Sequence, residues 1–329
     1  MSIRRRVLLA LTPGLLAAPM LSRALAVGFP DRPIRLVVPY APGGNADTTA
    51  RLISPIMAKH LGQPVVVENR AGAGGSVAAR QIAQAQPDGY TLLLGSNGPI
   101  TVNPLVQANL GYEPLQDFAP IGLAVRTPQV VAVHRNFPPR TLAEFIARGR
   151  EQPGRISVGS SGTASVSHLA IEMLSAATGA ILQHVPYRGA GAMAPDLISG
   201  TINACITEIS TALPLHRDGA IRILGIASTA RQAVAPELPT IEEAGVADFH
   251  AAAFIGVMVP SGTPAEATDA LAAALAAAVA DPTTRKRLEE MGSEMASTME
   301  ATPAGFAAFL VTETAWSRAV AERAGLRPA

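Results

Sequence analysis

Ile34-Arg35-Leu36-Val37-Val38-Pro39-Tyr40-Ala41-Pro42-Gly43-Gly44-Asn45-Ala46-Asp47 compresses a strand, a glycine loop and a helix start into one short stretch. The Val- and Leu-rich run closed by Pro39 predicts a buried strand. Asn45 or Asp47 is placed to cap a helix beginning near Thr48. A strand, a glycine loop and a helix N-terminus gather several free backbone N–H groups at one point. That is an anion site needing no lysine or arginine.

The unit lies just after a segment with the three regions of a secretory signal. Arg4, Arg5 and Arg6 form the positive region, Val7 to Leu21 the apolar region, and Ala24-Leu25-Ala26 an A-x-A cleavage site. Thr12, Pro13 and Gly14 interrupt the apolar region, which is short for a membrane span. The triple arginine also resembles a twin-arginine signal, with Ile3 where Ser or Thr is usual, so both export routes stay open. A periplasmic location is expected.

Cleavage after Ala26 would change the charge argument. The chain carries 26 Lys and Arg against 25 Asp and Glu, a formal charge of +1. The signal holds four of the arginines and no acid, which leaves 22 basic residues against 25 acidic and a formal charge of −3. Nothing in that balance favours nucleic acid or an anionic membrane surface. Cys205 is alone, so an intramolecular disulfide is impossible and packing must stabilise the fold. The remaining 300 or so residues, nearly half of them apolar, suffice for a large core and suggest two domains.

Short apolar runs alternate with helical segments along most of the chain, which predicts α/β layers. Strands are expected at Ile34–Val38, Val65–Glu68, Thr91–Gly95, Ile121–Val125 and Val130–His134, with helices at Thr48–Leu61 and Ser76–Ala85. A second set comprises strands at Ile156–Val158, His184–Val185, Ala204–Thr207 and Ile223–Ala227, and helices at Ser165–Thr178 and Ala192–Gly200. Phe254–Val259 is a further strand. The tail is helical, with Thr263-Pro264 and Thr302-Pro303 each read as an N-cap and a first-turn proline. Val38-Pro39-Tyr40 is echoed by Val185-Pro186-Tyr187, each leading through glycines into a helix. Crossings between lobes are expected near Ala124–Gln129 and Asp248–Ala253.

Catalytic constellations are weak. The six histidines are scattered without metal-ligand spacing, and Gly159-Ser160-Ser161-Gly162 has the wrong spacing for a nucleophile elbow. In Gly72-Ala73-Gly74-Gly75-Ser76-Val77 a valine occupies the third glycine position of a dinucleotide fingerprint. The chain is therefore expected not to be an enzyme and to need no cofactor or metal. Binding loops are better supported. Gly95-Ser96-Asn97-Gly98 and Gly159-Ser160-Ser161-Gly162-Thr163 each follow a strand, where open α/β sheets hold ligands.

Several motifs resemble one family. Phe29-Pro30-Asp31-Arg32-Pro33-Ile34, Gly43-Gly44-Asn45-Ala46-Asp47, Val67-Glu68-Asn69-Arg70-Ala71-Gly72-Ala73-Gly74-Gly75 and Pro87-Asp88-Gly89-Tyr90-Thr91-Leu92 look like those of the Bug proteins. These are the periplasmic receptors of tripartite tricarboxylate transporters. Val185-Pro186-Tyr187-Arg188-Gly189, Leu238-Pro239-Thr240 and Pro260-Ser261-Gly262-Thr263-Pro264 extend the likeness over nearly the whole chain after the signal.

The resemblance implies a two-lobed, type II-like periplasmic binding protein fold, each lobe a mixed sheet flanked by helices, with the ligand cleft between them. One lobe would be residues 27–124 plus 250–329 and the other 125–249. It implies a receptor that closes on a small carboxylate (a di- or tricarboxylate, an acidic amino acid or an aromatic acid) and hands it to membrane permease subunits; a monomer is expected. A periplasmic sensor docking on a signalling receptor would use the same cleft; deletion separates them by loss of uptake or of a transcriptional response. The resemblance puts ligand contacts on Tyr40, Gly43, Gly44 and Asp47 in one lobe. Ser160, Ser161, Gly162 and Thr163 face them in the other, with Ser96, Asn97, His168, Tyr187 and Arg188 as further lining. Phe254-Ile255-Gly256 and Thr207-Glu208 depart from the usual pattern, where tryptophan and aspartate are common, and either departure would alter specificity.

Overall fold

The computed structural model describes residues 28–323 together with 325 and 326. The export signal read at residues 1–26 lies outside the described residues. The strands are β1 (Ile34–Val38), β2 (Val65–Asn69), β3 (Thr91–Ser96), β4 (Phe118–His134), β5 (Ser157–Ser160), β6 (Gln183–Pro186), β7 (Ala204–Glu208), β8 (Ile221–Ile226), β9 (Ala252–Pro260) and β10 (Glu294–Met295). The helices are α1 (Asn45–Leu61), α2 (Ser76–Ala83), the short α3 (Asn103–Val106) and α4 (Pro114–Asp117), and α5 (Leu142–Glu151). They continue with α6 (Val166–Thr178), α7 (Ala190–Ser199), α8 (Ile209–Arg217), α9 (Ala265–Ala280), α10 (Pro282–Glu290) and α11 (Pro303–Arg323).

The expected α/β layering is borne out, with one repeated order. In the first half-sheet β2, β1 and β3 are parallel and β9 runs antiparallel beside β3. In the second, β6, β5 and β7 are parallel and β4 runs antiparallel beside β7. The unit β1–α1–β2 thus matches β5–α6–β6, and the loops after β1 and β5 are topological equivalents. The Val-Pro-Tyr echo relates non-equivalent loops, since the second copy follows β6.

Ile121–Val125 and Val130–His134, expected as two strands, are the two halves of the single strand β4. The polar step Arg126-Thr127-Pro128-Gln129 looks like a break in sequence. Yet β9 pairs along it from Phe118 to Pro128, and β7 and β8 take over from Gln129. Strands β4 and β9 therefore cross together from one half-sheet to the other. Separate cores form on either side, one around Leu36, Leu93, Val257 and Phe306, the others around Phe145, Leu174 and Ile206 and around Met193, Leu213 and Ile223. Helix α11 straddles them, with Val320 and Ala321 packed against Ala164 and Leu169 beside α6.

Two capping expectations are corrected. Helix α1 begins at Asn45, with Gly44 at the N-cap in extended conformation. Asp47 stands third in the helix, and its carboxylate turns back to accept the Gly43 N–H at 3.0 Å, which holds the loop onto the first turn. Pro264, not Thr263, is the N-cap of α9; Thr263 Oγ1 instead donates to Pro260 O at 2.7 Å. Thr302 behaves as expected, accepting the Gly305 N–H at 3.1 Å ahead of Pro303.

Candidate functional site

Four helix N-termini open onto one narrow inner cavity between the half-sheets. Gly44, Asn45 and Ala46 bring α1, Ser165 and Val166 bring α6, Ala190 brings α7, and Glu208 is the N-cap residue of α8. The first N–H groups of each helix have no intrahelical partner, and the aligned peptide dipoles add partial positive charge there. Among the described residues, no Lys, Arg or His lines the cavity. The enclosed space, about 30 Å³, holds a water or two as the loops now stand.

Direct contacts between the loops keep it narrow. The Ala41 N–H donates to Arg188 O at 3.0 Å. A Cβ at Gly191 would fall 2.0 Å from Pro42 O, and one at Gly74 would fall 2.4 Å from Thr163 O. Asn45 Oδ1 accepts Ser210 Oγ at 2.9 Å and so joins α1 to α8.

Five of the expected site residues line this cavity: Tyr40, Gly44, Ser96, Asn97 and Ser161. Tyr40 Oη and Ser96 Oγ are hydrogen-bonded at 2.9 Å, and desolvation pushes the phenol up to about 12. Asn97 Oδ1 accepts the Phe254 N–H at 2.9 Å, while its Nδ2 donates to Glu313 Oε1 at 2.7 Å. Ser161 is 6% exposed and its hydroxyl has no hydrogen-bond partner, an unsatisfied group at the cavity wall.

An outer cavity of about 140 Å³ shares Tyr40 and Ser161 and adds Gly162, Thr163, Tyr187 and Arg188 opposite the loop Gly72-Ala73-Gly74-Gly75. The Tyr187 hydroxyl donates to Asp196 Oδ2 at 2.6 Å, and burial together with that carboxylate raises its pKa.

Gly43, Asp47, Ser160 and His168 line neither cavity. They brace the loops from behind. Gly43, at φ +84°, turns the first loop. Asp47 accepts Arg51 Nε at 3.0 Å besides the Gly43 N–H, and these contacts hold its pKa below the usual range despite burial. Ser160 Oγ is 2.6 Å from His184 Nε2 and accepts the Gly162 N–H at 3.2 Å. His168 Nδ1 accepts the Ala164 N–H at 3.2 Å, and its ring stacks on His184 with centroids 4.0 Å apart. Burial, helped by His168, pulls His184 down to about 4 and keeps it neutral.

The two departures noted in sequence both reach the inner cavity, Phe254 with Ile255 as an apolar wall and Glu208 as its single carboxylate among the described residues. Ser165, Val166 and Ala190 had no local signal beyond standing where helices start. Their place in the site follows from which helix ends the fold brings together.

The family model described as tripartite tricarboxylate transporter family receptor matches residues 49–326. The periplasmic binding protein BugD superposes with a TM-score of 0.88 at 33% identity, over 92% of this chain and all of that one. A Rhodopseudomonas palustris protein solved with adipate gives 0.87 at 33% identity, over 92% of this chain and all of that one. MatC from Rhodopseudomonas palustris, solved with bound malate, gives 0.86 at 34% identity, over 89% of this chain and 99% of that one. The expected periplasmic binding protein fold is borne out by these likenesses.

Proposed function

The chain belongs to the tripartite tricarboxylate transporter receptor family, and on that premise we propose that it is a periplasmic receptor for a small carboxylate. The family and the likenesses above are of binding proteins, and the reading is of a binding protein. Residues 27–124 with 250–329 would act as one lobe and 125–249 as the other. The loops open to admit the acid and close when its carboxylate contacts both sides, which favours the closed form by differential affinity. The closed receptor then hands the acid to membrane permease subunits.

The observation that carries this reading is the convergence of four helix N-termini on a cavity without a basic side chain. Each N-terminus contributes roughly 0.3–1 kcal/mol to a bound anion, and up to about 2 when partly buried. Each charge-assisted hydrogen bond adds roughly 1.5–3 kcal/mol. Four or five such bonds exceed the ordering cost and support micromolar binding, which needs about 8 kcal/mol net. The unpartnered Ser161 hydroxyl supplies one such donor. Malate bound to MatC and adipate with a second relative support a dicarboxylate-sized acid.

Native mass spectrometry of the exported protein, followed by calorimetric titration of any acid it carries, tests the reading. A co-purified carboxylate that rebinds between submicromolar and tens of micromolar supports it. An empty protein that ignores a broad carboxylate panel overturns it.

A further inference from the structure

Glu313 and Trp316 of α11 stand on the wall of a second cavity, of about 320 Å³, outside the site described above. Strand β9 runs between the two spaces. Side chains alternate faces along a strand, and Ala253 and Ile255 line the inner cavity whereas Ala252 lines this one. Phe254 borders both. The volume is in the range of a small-molecule pocket.

Each basic group on this wall has a carboxylate of its own that lies off the wall. Arg126 pairs with Glu300, Arg231 with Glu243 at 2.8 Å, and His250 Nε2 lies 3.2 Å from Glu242 Oε1. The wall's two carboxylates are Glu313 and Glu294, and among the described residues neither is ion-paired. One oxygen of each is held by an amide: Glu313 Oε1 accepts Asn97 Nδ2 at 2.7 Å, and Glu294 Oε1 accepts Gln232 Nε2 at 3.3 Å. Burial raises the Glu313 carboxyl to about 7 in spite of Arg126 and Asn97, as expected of a carboxylate short of counter-charge.

Aromatic surface lies beside these acids. Phe309, Glu313 and Trp316 fall at i, i+4 and i+7 on α11, so two rings flank the Glu313 carboxylate along one stripe of the helix. The Phe309 ring packs edge-on to Phe254 with centroids 5.3 Å apart, and the Arg126 guanidinium lies 5.7 Å over it. The wall thus already seats one cation on an aromatic face. An anion entering here meets two carboxylates, and a neutral apolar body desolvates them without compensation. A cation with an apolar body satisfies both the acids and the rings.

We propose that this cavity is a second ligand site, taking a small organic ammonium whose cation pairs with Glu313 and whose aromatic or branched aliphatic body packs on Phe309 and Trp316. Glu294 adds negative potential at the same wall. The site does not depend on what the inner cavity binds.

Trp316 is the single tryptophan of the chain, so its fluorescence reports on this wall directly. Phenethylamine with 2-phenylethanol, and choline with 3,3-dimethylbutanol, each pair a cation with a neutral body of similar shape. At least one cation should change Trp316 emission saturably and bind at least about tenfold more tightly than its neutral partner. Glu313→Gln should cut that preference to below about threefold, and Glu294→Gln should reduce it part of the way. Ser161→Ala, in the inner cavity, should leave it unchanged, and thermal melting checks that each variant is folded. No saturable response to either cation up to about 10 mM marks a cavity that holds only water and overturns the proposal. Equal binding of cation and neutral partner, or a preference that Glu313→Gln leaves intact, overturns it as well. Carboxylate titrations report on the inner cavity alone, so the receptor reading stands or falls separately.

Discussion

Gly44 shows how much one missing side chain governs. Its φ of −89° is open to any residue, so backbone strain does not explain the glycine. Proximity does: a Cβ there would lie 3.4 Å from the Gly191 nitrogen and 3.5 Å from the Ala190 Cβ, across the gap to α7. A methyl would fit at ordinary contact, and the branches of a valine would hold the loops apart. Gly44→Val should therefore weaken ligand binding at least tenfold while shifting the melting temperature by no more than about 3 °C, since no core packing is lost. Unchanged affinity in calorimetry would remove this loop from the site. Asp47, His168 and His184 act at one remove: each fixes a loop that lines the cavity and does not itself reach it.

Among the elements, α11 ties the cavity wall to the C-terminal part of the chain. Glu313 on this helix accepts Asn97 Nδ2, and Ser317 Oγ donates to Thr101 Oγ1 at 3.1 Å, two turns that dock α11 behind the Ser96-Asn97 wall. Burial raises the Glu313 carboxyl from 4.5 to about 7, against the opposing pull of Arg126 and Asn97. A carboxyl raised in the folded state contributes stability that is complete below about pH 4.5 and lost as pH rises through about 7. Glu313→Gln keeps an oxygen acceptor for Asn97 and removes the titration. Urea denaturation should show the variant gaining on the wild type by up to about 3 kcal/mol between pH 5 and pH 8. Parallel pH profiles for the two proteins would contradict this origin.

For the whole molecule, the paired crossing of β4 and β9 joins the half-sheets at their middle, while the loops of β1, β5 and β6 meet at the cavity mouth. On the proposed function, such an arrangement would close around its ligand and exclude solvent, so ions in the buffer should act weakly on the bound anion. Titrations at 50 and 500 mM NaCl are expected to agree within about threefold. A steep fall in affinity with salt would place the anion at an exposed basic patch instead.

Local chemistry in the sequence determined β1, its glycine loop and the helix that follows, because a β-branched run, two glycines and a polar helix start act over adjacent residues. It determined the α/β alternation for the same reason, and the motif order pointed to the family. What lay beyond its reach depends on partners far along the chain. The continuity of β4 rests on strands β7, β8 and β9, all more than 60 residues away and none visible at Arg126–Gln129. Asn97 finds Glu313 across 216 residues. The tertiary structure alone decided that four separate helices end at one cavity and that Glu208 stands inside it, because convergence is a property of how the half-sheets pack and leaves no periodic trace in any single segment.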